Sequence, residues 1–406
     1  MSLRFFKSTF LFLLITATGC GNQSESKSVA IAEDARAQVH SSLKTGAERT
    51  AAYLPLLKGK KVGLVGNQTS IIQTEAGNVH LVDTLLALNV DLRKVFAPEH
   101  GFRGTADAGE VIEDGRDPKT GLPVFSLYGN NKKPSAEQLK DLDILIFDLQ
   151  DVGVRFYTYI STLHYVMEAA AENDLEVIVL DRPNPNGHYV DGPVLEPAHQ
   201  SFVGMHPVPV VHGMTIGEYA QMTNGEKWLK NGVQAPLQVI KMEGYDRNES
   251  YDLPIKPSPN LPNAQAINLY PSLCFFEGTN VNAGRGTQKQ FQVFGSPYLP
   301  KAKYDFSYVP ESNEGAKNPK HLGKTCYGKD LSEEPRLDYL NLKWLIEAYN
   351  HTSKKEEFFN NFFTKLAGTT KLQKQIEGGM SGDDIRRTWE AGLEEFSQKR
   401  AVYLLY

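Results

Sequence analysis

The chain has 406 residues, 41% of them hydrophobic, with 43 Lys and Arg against 48 Asp and Glu and a formal net charge of −5. There is no basic excess of the kind a nucleic-acid surface needs, and nothing after the first residues is long and apolar enough to span a bilayer. The length exceeds what one hydrophobic core usually supports, so two domains are expected.

Residues 1–20 read as a secretory targeting segment. Arg4 and Lys7 supply a positive start, the residues from Phe10 to Ile15 an apolar core, and Ala17-Thr18-Gly19-Cys20 a small-residue exit. The exit resembles the lipobox of bacterial lipoproteins, with Ala17 where leucine is commonest. That resemblance implies a lipid anchor at Cys20 and an exported, periplasm- or envelope-facing protein. Residues 21–28 are small and polar, suited to a tether, and residues 29–50 are expected to form an exposed leading helix.

From residue 51 apolar runs alternate with helical periodicity. Val62-Gly63-Leu64-Val65 predicts a first buried strand, ending in Gly66-Asn67-Gln68. Residues 80–88 have helical spacing. Val95-Phe96-Ala97 predicts a second strand, broken at Pro98 and Gly101. A third covers residues 124–128, a short helix 135–140 with Ser135 as N-cap, and a fourth strand 144–149. A helix over 159–173, a strand over 177–180, a helix over 215–229 with Thr215 and Glu218 at capping-box spacing, and a strand over 238–240 complete the pattern. Strand–helix alternation predicts an α/β fold, a parallel sheet with helices on both faces. After residue 244 the pattern loosens through a proline-rich stretch, 257–263, which cannot be regular helix. Helices are expected over 338–351, 358–366 and 385–398. The expected division is a catalytic domain over 51–243 and a smaller α+β domain over 244–406 that closes a cleft. Two cysteines remain in the body of the chain, Cys274 and Cys326, and their pairing is open.

Four strand ends carry polar clusters: Asn67 after the first, Glu99-His100 after the second, Asp148-Leu149-Gln150-Asp151 after the fourth and Asp181-Arg182-Pro183-Asn184 after the fifth. In a parallel sheet these ends share one edge, so they are expected to converge. A dinucleotide site is excluded, because the turn after Gly66 lacks the second and third glycines of the fingerprint; no cofactor is expected. The histidines include no short-spaced ligand set, so no metal site is assigned. Paired carboxyls beside aromatics suit glycoside hydrolysis. A general acid has to be neutral at working pH, so its carboxyl belongs in apolar surroundings. Glu99 fits, following Val95–Pro98 and lying near Phe102. Glu110, Asp148, Asp151 and Glu277 are candidates for the second group. Phe102, Phe156, Tyr157, Tyr159, Phe275 and Phe276 could stack on a sugar ring. Arg103, Arg155 and Arg285, in glycine- and tyrosine-rich loops, suit a ligand carboxylate.

Five motifs carry a resemblance that extends from about Lys61 to the C-terminus. They are Glu99-His100-Gly101-Phe102-Arg103-Gly104, residues 147–159, Asp181-Arg182-Pro183-Asn184-Pro185, Pro257-Ser258-Pro259-Asn260-Leu261-Pro262 and Phe276-Glu277-Gly278-Thr279-Asn280. Together they resemble the exo-β-N-acetylmuramidases called NamZ. The resemblance implies a Rossmann-like domain, a smaller C-terminal domain and an active site in the cleft between them. It also implies release of N-acetylmuramic acid from the non-reducing ends of peptidoglycan fragments, with Glu99 as the catalytic glutamate. The lactyl carboxylate of that sugar predicts an arginine clamp. Its 2-acetamido group could act as nucleophile, leaving Asp148 or Asp151 to orient it. Expected substrate contacts are Asn67, His100, Arg103, Arg155, Tyr157, Tyr159, Asn184, Glu277 and Arg285. Two other readings stay open: a non-catalytic peptidoglycan-binding lipoprotein, and a metal-dependent cell-wall hydrolase.

Overall fold

Strands whose side chains alternate between two apolar faces need a layer of helices on each, and the chain supplies both. In the computed structural model, which describes residues 43–99, 101–102 and 114–406, strand β1 (Val62–Gly66) is buried along its whole length. The targeting segment, the tether, His100, Arg103 and Glu110 lie outside the described residues, as does most of the expected leading helix. The described chain begins instead with a 3₁₀ turn at Gly46–Glu48 and helix α1 (Thr50–Leu57).

A hairpin, β2 (Ile71–Thr74) and β3 (Gly77–His80), follows β1 and leads into α2 (Leu81–Ala87). Next come β4 (Leu92–Ala97), β5 (Gly115–Arg116), β6 (Pro123–Ser126), α3 (Ala136–Leu139), β7 (Ile144–Asp148), α4 (Tyr159–Glu172), β8 (Glu176–Leu180), α5 (Ile216–Gly225) and β9 (Leu237–Ile240). The sheet order is β5-β6-β4-β1-β7-β8-β9. All neighbours are parallel except β5 with β6, so the expected parallel sheet has one antiparallel edge. The chain runs outward from β1 through β4 to β6, then returns to the other side of β1 at β7. This is the doubly wound order with its switch point between β1 and β7.

Strict alternation divides the core. Leu64, Val95, Ile144, Ile146 and Ile178 join one cluster with Tyr53 of α1 and Leu85 of α2. Val65, Phe96, Leu145, Phe147 and Val179 join the other with Leu163 of α4 and Tyr219 of α5. Capping boxes at Ser135–Gln138 and Thr215–Glu218 start α3 and α5 as their sequences indicate.

The second cluster continues without a break into the C-terminal residues. Helix α6 (Ala264–Leu273) begins as soon as the proline-rich stretch ends, with Asn263 as its N-cap. An antiparallel sheet follows, formed by β10 (Val293–Ser296), β11 (Phe306–Tyr308) and β12 (Cys326–Asp330) in the order β10-β12-β11. Helices α7 (Lys343–His351), α8 (Asn361–Ala367), α9 (Lys371–Glu377), α10 (Gly382–Arg387) and α11 (Glu390–Ala401) close the chain. The helix expected over 338–351 starts only at Lys343. The N–H groups of Leu337, Leu340 and Asn341 are held by the side chains of Asn268, Asp191 and Ser272, which keeps that stretch extended. The helix expected over 385–398 is two helices. They break at Thr388, whose hydroxyl bonds back to the Ile385 carbonyl. Cys274 and Cys326 are separate buried thiols.

Candidate active site

Strand β4 delivers Glu99 to the carboxyl edge and ends there. Gly101 turns the backbone at φ +74°, a conformation that favours glycine, and its N–H returns to the Pro98 carbonyl. Strand β6 runs alongside, and the Leu127 N–H bonds to the Ala97 carbonyl at 2.8 Å. That extension sets Tyr128 beside Glu99, and the phenol is hydrogen-bonded to the carboxylate. Burial, and then the charge of Glu99, push the Tyr128 pKa up, so its hydroxyl keeps its proton. On the other side the Thr158 hydroxyl donates to Glu99 Oε2 at 3.3 Å. Glu99 is half-buried.

The segment after β7 forms the floor. Asp151 Oδ2 accepts the Gly153 N–H at 2.6 Å. Gly153, at φ +76°, has no room for a side chain, because a Cβ would stand 2.2 Å from Asn184 Oδ1. The turn carries the chain into Phe156, Tyr157, Thr158 and Tyr159. Tyr157 donates to the Pro257 carbonyl at 2.8 Å, tying the floor to the proline-rich stretch. Tyr159 accepts from Asn67 Nδ2 at 2.7 Å. Tyr270 and Phe291 continue the aromatic surface, with T-shaped contacts of 5.4 Å between Phe156 and Tyr270 and 4.9 Å between Tyr270 and Phe291. Burial raises the phenol pKa values of Tyr157, Tyr159 and Tyr270. The aromatic floor is therefore uncharged.

The opposite rim comes from residues far along the chain. Arg285 sits between Gly284 and Gly286, both at positive φ, and a Cβ on either would strike a backbone carbonyl within 2.6 Å. Its Nη1 lies 3.4 Å from Glu277 Oε2 and its Nη2 3.4 Å from the Gly315 carbonyl. Beneath them Lys320 Nζ donates to the carbonyls of Phe276, Thr279 and Val281, and burial lowers its pKa to about 8. The result is a cavity of about 290 Å³, near the lower end of the range for small-molecule sites. Two carboxylates, Glu99 and Glu277, line it among the described residues.

Five residues predicted for the site therefore line the cavity: Glu99, Tyr157, Tyr159, Glu277 and Arg285. Four others do not. Asp148 is fully buried and takes two hydrogen bonds from Arg182, at 2.6 and 2.9 Å. Asp151 is buried behind the floor, where desolvation raises its pKa to about 7. Its neighbour His212, with Nε2 3.9 Å from Oδ2, is held neutral by burial at a pKa of about 3. Arg155 is fully buried and donates to four backbone carbonyls, of Pro193, Val208, Leu366 and Ala367, so its guanidinium is spent on loops rather than offered to the cavity. Asn184 donates to the Met214 carbonyl and accepts from the Asn186 N–H. Asn67 is also fully buried and reaches the cavity only through Tyr159. His100 and Arg103 are outside the described residues.

Several lining residues were not anticipated: Tyr128, Thr158, Asn260, Tyr270, Phe291 and Phe362. Tyr128 follows a parallel strand and obeys the same strand-end rule that singled out Glu99. Thr158 and Asn260 lie inside motifs already noted. Nothing local marks Phe362, whose place depends on a contact some 80 residues away in sequence. Among the described residues no three His, Cys, Asp or Glu side chains converge as a metal site.

Comparisons with known proteins identify the family. The family described as exo-β-N-acetylmuramidase NamZ matches in two parts, its N-terminal domain over residues 62–265 and its C-terminal domain over residues 268–406. The peptidoglycan β-N-acetylmuramidase NamZ of Bacillus subtilis is 40% identical over 375 residues, covering 87% of this chain and 89% of that protein. Two crystal structures of DUF1343 family proteins from Bacteroides fragilis each cover 90% of this chain and 99% of their own. One has a TM-score of 0.83 at 46% identity, the other 0.76 at 29%. The chain belongs to the exo-β-N-acetylmuramidase NamZ family and is a glycoside hydrolase.

Proposed function

We propose that the protein releases N-acetylmuramic acid from the non-reducing end of peptidoglycan fragments, with Glu99 as general acid. The observation that carries this reading is where the carboxylates stand relative to the cavity. The floor is buried and aromatic, whereas Glu99, Glu277 and Arg285 are half-exposed at the rim. A hollow of about 290 Å³ suits one saccharide better than several. In this reading a sugar seated on that floor brings its glycosidic bond to the rim, where a proton donor is needed, as exo cleavage of a chain end requires. The cleft lies between the carboxyl edge of the large sheet and the residues after 257.

In this reading Glu99 gives its proton to the glycosidic oxygen as the bond to the anomeric carbon breaks. Glu277, across the rim, or the 2-acetamido group of the sugar steadies the positive charge left on the ring. Water adds at that carbon, and the proton it releases balances the one Glu99 gave. Arg285 meets the lactyl carboxylate. Asp148 and Asp151 contribute from behind the floor, without touching the sugar. The form of residues 1–20 supports export and a lipid anchor at Cys20, which would place the enzyme where cell-wall fragments are found.

The test is Glu99→Gln assayed on N-acetylmuramic acid β-linked to N-acetylglucosamine. Turnover should fall by about 10²–10⁴-fold with the unfolding temperature unchanged. The loss should be much smaller on an aryl glycoside with a good leaving group, which needs less protonation. Fragments blocked at the non-reducing end should not be cleaved. Full activity of the variant on the disaccharide would remove Glu99 from the role.

A further inference from the structure

An exo-acting pocket that holds one sugar leaves the departing part of the substrate outside, over the rim. The rim has one side chain suited to meet it. Phe362 lines the cavity yet is 37% exposed, the most exposed of the large apolar side chains that do so. Its neighbours are not placed this way. Phe363 is fully buried and packs on Phe275 and Phe359, with ring centroids 5.8 and 4.5 Å apart. Phe358 and Phe359 contact each other at 4.8 Å. Phe202, also at the rim, lies stacked with Tyr165 and under Lys132 Nζ. Phe362 has no ring or cation partner among the described residues.

The backbone holds it there. Residues 278–280 pair with 358–360, through bonds of 2.8 Å from the Asn280 N–H to the Phe358 carbonyl and 2.9 Å from the Asn360 N–H to the Gly278 carbonyl. Gly278 lets the start of α8 approach so closely that a Cβ would stand 2.4 Å from Phe363 Cα. Asn360 then caps the helix by accepting the Phe362 N–H at 2.8 Å. Successive helical residues diverge by about 100°, so burying Phe363 turns Phe362 outward. Glu277, one residue before Gly278, is locked to the same frame. The backbone positions of Glu277 and Phe362 are thus held by the same set of contacts. An exposed aromatic ring costs solvation, and here its backbone is held at the rim of the cavity that Glu99 and Glu277 also line.

We infer that Phe362 is the platform for the sugar on the leaving side of the scissile bond, an N-acetylhexosamine whose apolar face stacks on the exposed ring. This rests on the exo-glycosidase reading above. The protein would then distinguish a glycan end from a simple glycoside by a contact outside the cavity.

The experiment compares two substrates of the full-length enzyme. One is the N-acetylmuramic acid–N-acetylglucosamine disaccharide. The other is the β-fluoride of N-acetylmuramic acid, which has no leaving sugar. Phe362→Ala should reduce the ratio of kcat/KM for the disaccharide to that for the fluoride by about tenfold, mainly through KM. Phe362→Trp should restore the ratio, and Phe362→Leu should not. A ratio unchanged in Phe362→Ala, or restored as well by Leu as by Trp, would overturn the inference. Wild-type protein that turned over neither substrate would instead overturn the exo-glycosidase reading on which it rests.

Discussion

At the carboxyl end of β7, Asp148 is fully buried and gripped by Arg182. At the carboxyl end of β4, Glu99 is half-buried and faces a cavity. The two acids lie on the same sheet edge with β1 between their strands, and the difference lies in what surrounds them. Around the switch point the chain has filled its own crevice. Ser70 donates to the Asp148 carbonyl, the Gln150 N–H to Thr69, and Asp181 accepts from Thr215, the Gly217 N–H and the Tyr406 hydroxyl. Where a doubly wound sheet usually takes its ligand, this one carries a closed polar network that fixes the floor from behind. The open site is displaced toward β4 and β6. Polar strand ends are thus of two kinds, those that complete the fold and those that face a ligand.

The contrast predicts opposite phenotypes. Asp148→Ala leaves the Arg182 guanidinium buried without its carboxylate, which should cost about 3–5 kcal/mol of stability, read by denaturant unfolding. The folded fraction should still turn over substrate. Glu99→Gln should do the reverse, with turnover lost and stability kept. An Asp148→Ala protein as stable as wild type but inactive would break the comparison and return Asp148 to the chemistry.

Asp151 sharpens the comparison through pH. Its folded-state pKa is raised to about 7 by burial, from an ordinary 3.8. Between those values the folded state binds more protons than the unfolded one, so stability falls as pH rises through this window. The penalty is complete above about pH 7. Asp181, raised to about 6, acts in the same direction. Asp151→Asn keeps an acceptor for the Gly153 N–H and removes the charge. Its unfolding temperature should be higher than wild type by several degrees at pH 8 and should converge with it near pH 4. A wild-type protein whose stability rises between pH 4 and 7, with Asp151→Asn following the same slope, would contradict this account.

The same contrast explains what was legible beforehand. Buried strands β1, β4, β7 and β8 read directly as apolar runs because both of their faces are covered, and Thr215–Glu218 reads as a helix start because its chemistry is local. The hairpin β2–β3 was hidden because most of its residues are exposed and leave no apolar alternation. The sheet of β10 to β12 was hidden by Gly295 and Gly328, which face each other where a Cβ on Gly328 would strike the Phe294 carbonyl. At the strand ends, residue type does not reveal the partner. Asp148 is paired by an arginine 34 positions on, and Arg155 is consumed by carbonyls from 38 to 212 positions away. The far wall of the cavity depends on tertiary contacts such as Tyr157 with Pro257, which no local pattern encodes.

Within the open site the effects should be smaller. Arg285 is offered at the rim by two tight glycines, and its bonds to Glu277 and Gly315 are long at 3.4 Å, which suits exchange for a ligand carboxylate. A hydrogen bond to a charged group contributes about 1.5–3 kcal/mol. Arg285→Met should therefore reduce kcat/KM for an N-acetylmuramic acid glycoside by roughly ten- to a hundredfold. The corresponding N-acetylglucosamine glycoside, which lacks the lactyl group, should be affected far less. Equal losses on both would mean that Arg285 serves Glu277 and not the lactyl carboxylate.

The smallest effects should come from the hydroxyls that hold Glu99. Tyr128 and Thr158 approach the carboxylate from two sides, and neither needs to touch the sugar to matter. Both are positioning residues, so their removal should lower kcat with KM little changed. A net hydrogen bond is worth about 0.5–1.5 kcal/mol, so Tyr128→Phe should lose roughly two- to tenfold in kcat. Thr158→Val should lie at the lower end of that range. Its contact of 3.3 Å is well beyond the ~2.7–2.8 Å optimum for a hydroxyl donor, so little of the bond's strength is realised. In a Glu99→Gln background both substitutions should add nothing further to the loss on a good leaving group, because the group they position is gone. Additional losses there would show that Tyr128 or Thr158 meets the substrate directly, moving it from the frame of the open site into the site itself.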